Sequence, residues 1–269
     1  KLTQLRLSWK VNLMSELVHL SYSSISHYLN CGRSWQFKYQ QDLPEKKSSS
    51  LIFGSAVHGA IQKHIQGGSD LRQAWRESWS KELALNPDIE WGSDNQTELF
   101  NYGVQVFSNE DILSTIQGLK PLTLNGSPCM ELKVELNVPG VPVPVIGFVD
   151  MVQANGVAVD FKTSRTSWTQ ERADKEMQAT FYIAALNQMG MCQIPEVFEY
   201  IVFVKNKAPK VQRFVTERKA ADIFRLFNLV GEVYRAINQQ VFLPNPTAWS
   251  CSEKYCSFWN ECPQGGKNE

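Results

Sequence analysis

The sequence predicts an α/β fold: a central mixed β-sheet flanked by helices, with a helical N-terminal part and a Cys-rich C-terminal segment. Three observations predict it. Apolar residues recur at helical spacing through much of the first half. From 129 the texture turns β-rich, in runs divided by Pro-Gly and Asn-Gly, as expected of antiparallel strands joined by tight turns. Helical periodicity then returns, a strand follows, and an amphipathic helix spans about 217–238, which suits helices packed against a mixed sheet.

Each element can be justified in turn. Ser23 or Ser24 is expected to cap a first helix bearing Ile25, Tyr28, Leu29 and Trp35. "EKKSSS" at 45–50 reads as a mobile loop. A second helix is expected from near Gly54 through "SAVHGAIQKHI", and a third over "LRQAWRESWSKEL". Strands are expected in "CMELKVELNVPG", "VPVIGFVDMVQANG" and "VAVDFKT", then a helix in "KEMQATFYIAALNQMG" and a strand in "VFEYIVFVKN". Residues 1–20 read as an arm and 21–263 as a single domain, with 264–269 a tail. That domain comprises a helical region (21–120), a core (129–215) and a helix plus cysteine cluster (217–263). The chain opens at Lys1, whereas Met14 would make a natural start, so residues 1–13 are expected to be a tag, a processed remnant or an over-extension.

At 269 residues, 43% hydrophobic and 20% charged, the composition is that of an ordinary globular chain and argues against disorder. Basic and acidic residues balance at 27 each, so an anionic partner must be held by a local basic surface. No run approaches the roughly 18 apolar residues of a membrane helix, and the first 20 residues lack the pattern of a secretory signal. The sequence therefore reads as cytoplasmic, with no membrane partner.

In "VAVDFKT", Val157, Val159 and Phe161 share one face of a strand, while Ala158, Asp160 and Lys162 share the other. On the preceding strand Ile146, Phe148 and Asp150 lie on a common face, and the Asn-Gly turn can bring Asp150 beside Asp160. Two adjacent carboxylates repel unless something positive lies between them. Magnesium or manganese suits such hard oxygens, and Lys162 would then orient water or stabilise charge on a reacting phosphate. The same tripeptide also suits a structural Asp–Lys pair.

"GFVD" followed after nine residues by "DFK" resembles the core of the PD-(D/E)XK nuclease superfamily, and further motifs resemble its RecB-like branch, which includes CRISPR-adaptation exonucleases. The resemblance implies a restriction-endonuclease-like core. It adds His58, in "FGSAVHGAI", to the metal site of Asp150 and Asp160, with the Phe161 carbonyl as a further ligand. It makes Lys162 catalytic and, through "QATFY", brings Gln178 and Tyr182 to the same cleft; at i, i+4 the last two share one helix face.

Six cysteines fall at 31, 129, 192, 251, 256 and 262, and three of them lie in "CSEKYCSFWNEC". A cytoplasmic chain disfavours disulfides, so a metal is the alternative. With Cys31 as fourth ligand, the set of Cys31, Cys251, Cys256 and Cys262 resembles the iron–sulfur staple of RecB-like nucleases. Gly32 stands where that family commonly has proline, and the first gap, of four residues, is wider than the two common in the CRISPR exonucleases. Zinc usually takes tighter pairs, which favours a [4Fe–4S] cluster over zinc. Cys129 and Cys192 read as small buried hydrophobes.

Two basic runs are candidate phosphate contacts: Arg33 and Lys38 with Lys46 and Lys47, and Lys205, Lys207, Lys210 and Arg213. Trp35, Phe37 and Tyr39 interleave the first, where stacking on bases competes with burial, and Phe37 reads as core. The resemblance implies a metal-dependent deoxyribonuclease, an exonuclease on DNA ends or single strands serving repair, recombination or CRISPR adaptation, with a helicase or CRISPR integrase as a partner in trans. The alternative is a non-catalytic, cluster-stapled DNA-binding or scaffold subunit.

Overall fold

The computed structural model of the chain describes residues 17–191 and 196–265. Residues 1–13 and Cys192 lie outside the described residues. The N-terminal part runs β1 (Leu20–Ser21), α1 (Tyr22–Asn30), α2 (Gly32–Trp35) with a π-helical turn over Gln36–Gln40, β2 (Lys47–Ser48), α3 (Ser49–Gly67), α4 (Leu71–Leu85), β3 (Ile89–Glu90), α5 (Gln96–Val106) and α6 (Glu110–Gln117). A small hairpin of β4 (Thr123–Leu124) and β5 (Ser127–Pro128) leads into β6 (Met130–Leu136), β7 (Val145–Val152) and β8 (Ala158–Ser164). Then follow α7 (Gln170–Lys175), α8 (Met177–Gln188), β9 (Val197–Val204), β10 (Lys210–Glu217) and α9 (Ala220–Asn238).

The expected three-stranded meander is present: β6, β7 and β8 pair antiparallel in sequence order. β8 pairs parallel with β9, and β9 antiparallel with β10, giving a six-stranded mixed sheet that β1 joins through β7. Alternation along the strands feeds two cores. One face, with Ala158, Tyr200 and Val202, packs against α8 and α9. The other, with Val159, Phe161, Ile201 and Phe203, packs against α3, α4, α5 and α6.

Four local expectations need correction. Ser21, not Ser23 or Ser24, caps α1: its hydroxyl accepts from Ser24 N at 3.0 Å, and Ser24 Oγ accepts from Ser21 N in return. The first helix breaks at Cys31, whose φ of −160° is extended, before Trp35 is reached. "EKKSSS" holds β2 and the start of α3, which begins at Ser49 under a cap from Ser48 and not near Gly54. β10 was hidden by its polar texture, which an edge strand tolerates because only one side of its ladder is paired.

Two helical glycines separate close packing from open space. A Cβ on Gly103 of α5 would come within 2.0 Å of the buried Trp75 indole, whereas one on Gly231 of α9 meets nothing within 4 Å. Gly103→Ala should destabilise the fold by about 1–3 kcal/mol through overpacking. Gly231→Ala should stabilise it by about 0.5–1 kcal/mol through helix propensity. Denaturant unfolding of the two variants checks both signs.

Candidate active site

β7 has two neighbours on one edge. β1 pairs with Val145 and Ile146, and β8 pairs only through Met151 and Val152. Between them, residues 147–150 face β8 without a ladder. The alternation of β7 also slips here: Val149 belongs to the core under α8, and Met151 to the core under α3. On the other edge the β6 register pairs Met130 with Met151 and Leu132 with Val149, skipping Glu131 and Asp150, and Glu131 sits at φ 51°. A non-glycine residue in the left-handed region inside a strand is strained, and such strain clusters at functional sites.

The side chains converge on this gap. Asp150 Oδ2 accepts the Phe161 amide at 2.7 Å, so the carboxylate stands where a strand carbonyl would. The amide and carbonyl of an extended residue leave a strand on the same edge, so the Phe161 carbonyl also faces the gap. His58, on α3, places Nδ1 3.4 Å from Asp150 Oδ1 and packs its ring edge-on against Phe161. Lys162 Nζ lies 2.7 Å from Asp160 Oδ2, an ion pair with a buried carboxylate. Lys162 donates to Gln178 Oε1 at 2.6 Å, Gln178 Nε2 to the Tyr182 hydroxyl at 3.3 Å, and that hydroxyl to the Phe148 carbonyl at 2.5 Å. His58, Asp150, Phe161, Asp160, Lys162, Gln178 and Tyr182 thus form one connected constellation. Gly147 makes room for it, since a Cβ there would come within 2.4 Å of Phe181 and 3.0 Å of Tyr182.

Glu131 was not anticipated. Ligand atoms of Glu131, His58 and Asp150 all lie within 4.8 Å of one another. In "MELKVEL" the residue reads as one polar position on an alternating strand, and only the register, which sets it opposite Asp150, exposes a pair of facing carboxylates. That register is hidden behind the loop at 137–144.

The electrostatics follow from burial. Burial opposes an imidazolium at His58, but the Asp150 carboxylate, its hydrogen bond and Asp160 hold the group up at about 9. Glu131 is raised by burial and then by Asp150. Asp160 is pushed up to about 6 by burial, with Lys162 opposing and Asp150 reinforcing. Three carboxylates and an imidazole, with ligand atoms of Glu131, His58 and Asp150 within 4.8 Å of one another, form a hard, oxygen-rich set that fits magnesium or manganese.

The four cysteines come together elsewhere. Cys31 caps α2, and Cys251, Cys256 and Cys262 lie in the irregular segment after α9. They line one cavity of about 520 Å³ with Tyr22, Phe37 and Trp259. The Cys256 thiol is raised by burial and by the charges of Cys262, Cys31 and Cys251. Hydrogen bonds from Asn30 to Ser250 and from Asn245 to the Asn30 carbonyl tie the segment to α1. Cys129 is buried, as expected.

Half of the candidate basic residues are engaged. Lys38 pairs with Glu45, Lys205 with Asp94 at 3.6 Å, and Arg213 with the buried Glu199 at 2.6 Å, while Arg33 donates to Gln36. Lys207 and Lys210 are exposed, as are Lys46 and Lys47. Trp35 and Phe37 are buried, leaving Tyr39 as the exposed aromatic of its group.

A helix histidine, two strand aspartates and a lysine gathered where a mixed sheet opens define a nuclease-like site. The family model of the PD-(D/E)XK nuclease superfamily matches residues 19–263, and the chain belongs to that superfamily. A crystal structure of a candidate exonuclease from Eubacterium rectale superposes with a TM-score of 0.56 over 93% of each chain at 10% identity, a likeness of fold alone. The crystal structure of SSO0001 is 13% identical over 89% of this chain and 96% of that one, with a TM-score of 0.38. No curated protein matches the sequence. Among the described residues no helix is long and apolar enough to cross a membrane.

The raised carboxyl of Asp160 has a sign that can be tested. Its folded value of about 6 exceeds the roughly 3.9 of an unfolded aspartate. Its contribution to stability is therefore full below about pH 4 and lost as pH rises through about 6. Asp160→Asn should raise the Tm of the metal-free protein near pH 7.5, and the gain should vanish near pH 4. A lowered Tm at both pH values would mean that the Lys162 pair outweighs the cost of burial.

Proposed function

We propose that this nuclease is a divalent-metal-dependent deoxyribonuclease of the RecB-like branch, acting as an exonuclease on DNA ends. The observation that carries the reading is the convergence of His58, Asp150, Asp160 and Lys162 on one break in the sheet. His58, Asp150 and Asp160 would hold magnesium or manganese, with the Phe161 carbonyl and Glu131 as further oxygen donors. The cation would supply Lewis-acid polarisation of the phosphoryl group and a more acidic attacking water. Lys162 places its ammonium beside Asp160, where it orients that water or offsets charge growing on the phosphate. Gln178 and Tyr182 hold the lysine in place through their hydrogen-bond relay. Residues 21–263 act as one domain in this reading. Phosphodiester hydrolysis at ends suits repair, recombination or CRISPR adaptation, with a helicase or integrase in trans.

We further propose that Cys31, Cys251, Cys256 and Cys262 bind a [4Fe–4S] cluster. Support comes from the cavity that the four cysteines share. Its role is to fasten the C-terminal segment to α1.

Lys162→Ala should lower magnesium-dependent turnover on a labelled strand by roughly 10²–10³-fold, the scale of losing one stabilising donor. It should retain manganese binding, because an ammonium cannot coordinate a cation. Asp160→Ala should abolish cleavage with the fold intact; full turnover by correctly folded Asp160→Ala would end this assignment, and would leave a DNA-binding or scaffold role.

Anaerobically purified protein should be brown and contain iron and sulfide, and Cys256→Ala should bleach it and lower its solubility. Stoichiometric zinc without iron would overturn the cluster.

A further inference from the structure

We propose that Phe148 is a base-stacking residue, which holds an unpaired nucleobase beside the phosphate under attack. The proposal rests on the nuclease reading and narrows its substrate to DNA that is single-stranded where it enters the site.

Phe148 is 51% exposed, a high value for a phenylalanine on a central strand of a sheet. Its presentation is rigid. Gly147 lies so close to Phe181 and Tyr182 that its α8-facing side is filled, and the side chain of the next residue is turned to the opposite face. The Phe148 carbonyl is held by the Tyr182 hydroxyl at 2.5 Å, the last link of the relay that begins at Lys162. The residue falls within the stretch of β7 that β8 leaves unpaired, so no neighbouring strand on that edge covers it. Asp150 follows two positions later, about 7 Å along the strand, which is the scale of one nucleotide.

The surroundings explain why a ring belongs there. The cations of the site are committed to its carboxylates, His58 to Asp150 and Lys162 to Asp160, and Glu131 adds a further carboxylate beside them. Lys205, Arg213 and Lys38 are already paired with carboxylates. An uncharged aromatic face needs no free cation, and it grips any base because every base has a π-face. In a duplex those faces are stacked on each other, so the contact needs an unpaired nucleotide.

The test measures binding of a fluorescein-labelled oligothymidylate in calcium, with an abasic oligomer of equal length as the comparison. Wild type should bind the base-bearing strand about tenfold more tightly than the abasic one. Phe148→Ala should lose that preference with its abasic affinity and Tm unchanged, and Phe148→Tyr should keep it. Equal losses on both oligomers, no loss at all, or no preference in the wild type would overturn the proposal. Magnesium-dependent cleavage by the wild type is measured alongside. Base-dependent binding without cleavage would defeat the nuclease reading and leave Phe148 standing; cleavage without base dependence would do the reverse.

Discussion

The hydrogen bond from the Phe161 amide to Asp150 is the contact on which the site depends. A buried strand amide left without an acceptor costs about 1–3 kcal/mol, so a sheet that parts must supply one. Here a side chain supplies it, and in doing so brings a carboxylate into the interior of the ladder. Two cations stand against the acids here: His58 approaches the other oxygen of Asp150, and Lys162 pairs with Asp160 on the same strand, while Glu131 adds a like charge from a left-handed backbone position. Burying one charge alone would be prohibitive, and a group of opposed charges with fixed hydrogen bonds lowers that cost.

A second, quieter constraint holds the relay. Arg218 is buried, and its guanidinium donates to the Thr180 and Thr216 hydroxyls and to the carbonyls of Ala173, Glu176 and Glu217. Those acceptors lie at the end of α7, the start of α8 and the end of β10. The first turn of α8, which carries Gln178 and donates Ala179 N to the Tyr200 hydroxyl, is therefore fixed from behind. A cation near the C-terminal carbonyls of α7 also complements the dipole of that helix.

The meander, the α8 helix and the Asp–Asp–Lys set were legible because each depends on local periodicity or on a turn that fixes its own register. The Asn-Gly turn is short enough to set Asp150 against Asp160 by counting. Glu131 was illegible for the converse reason: its partner is reached through an eight-residue loop whose length sets no register, and its backbone is held in place by tertiary contacts. β10 and the early start of α3 were missed because polar and serine-rich strings carry weak propensity, and packing decided them. The basic runs show the same limit, since sequence records a charge but not the carboxylate that folding brings to it.

The contacts between α1 and the segment after α9 bind residues as far apart as 220 positions. Closing a loop of that length costs about 5 kcal/mol of chain entropy, which the contacts must outweigh. On a ribosome adding about 5–20 residues per second, α1 emerges roughly 10–45 s before the segment that covers it. Throughout that interval the ring of Trp35, which finally stacks on Phe242 at 5.6 Å, has no permanent cover. The apolar surface around Trp35 therefore waits for its final partner until the segment after α9 has been made.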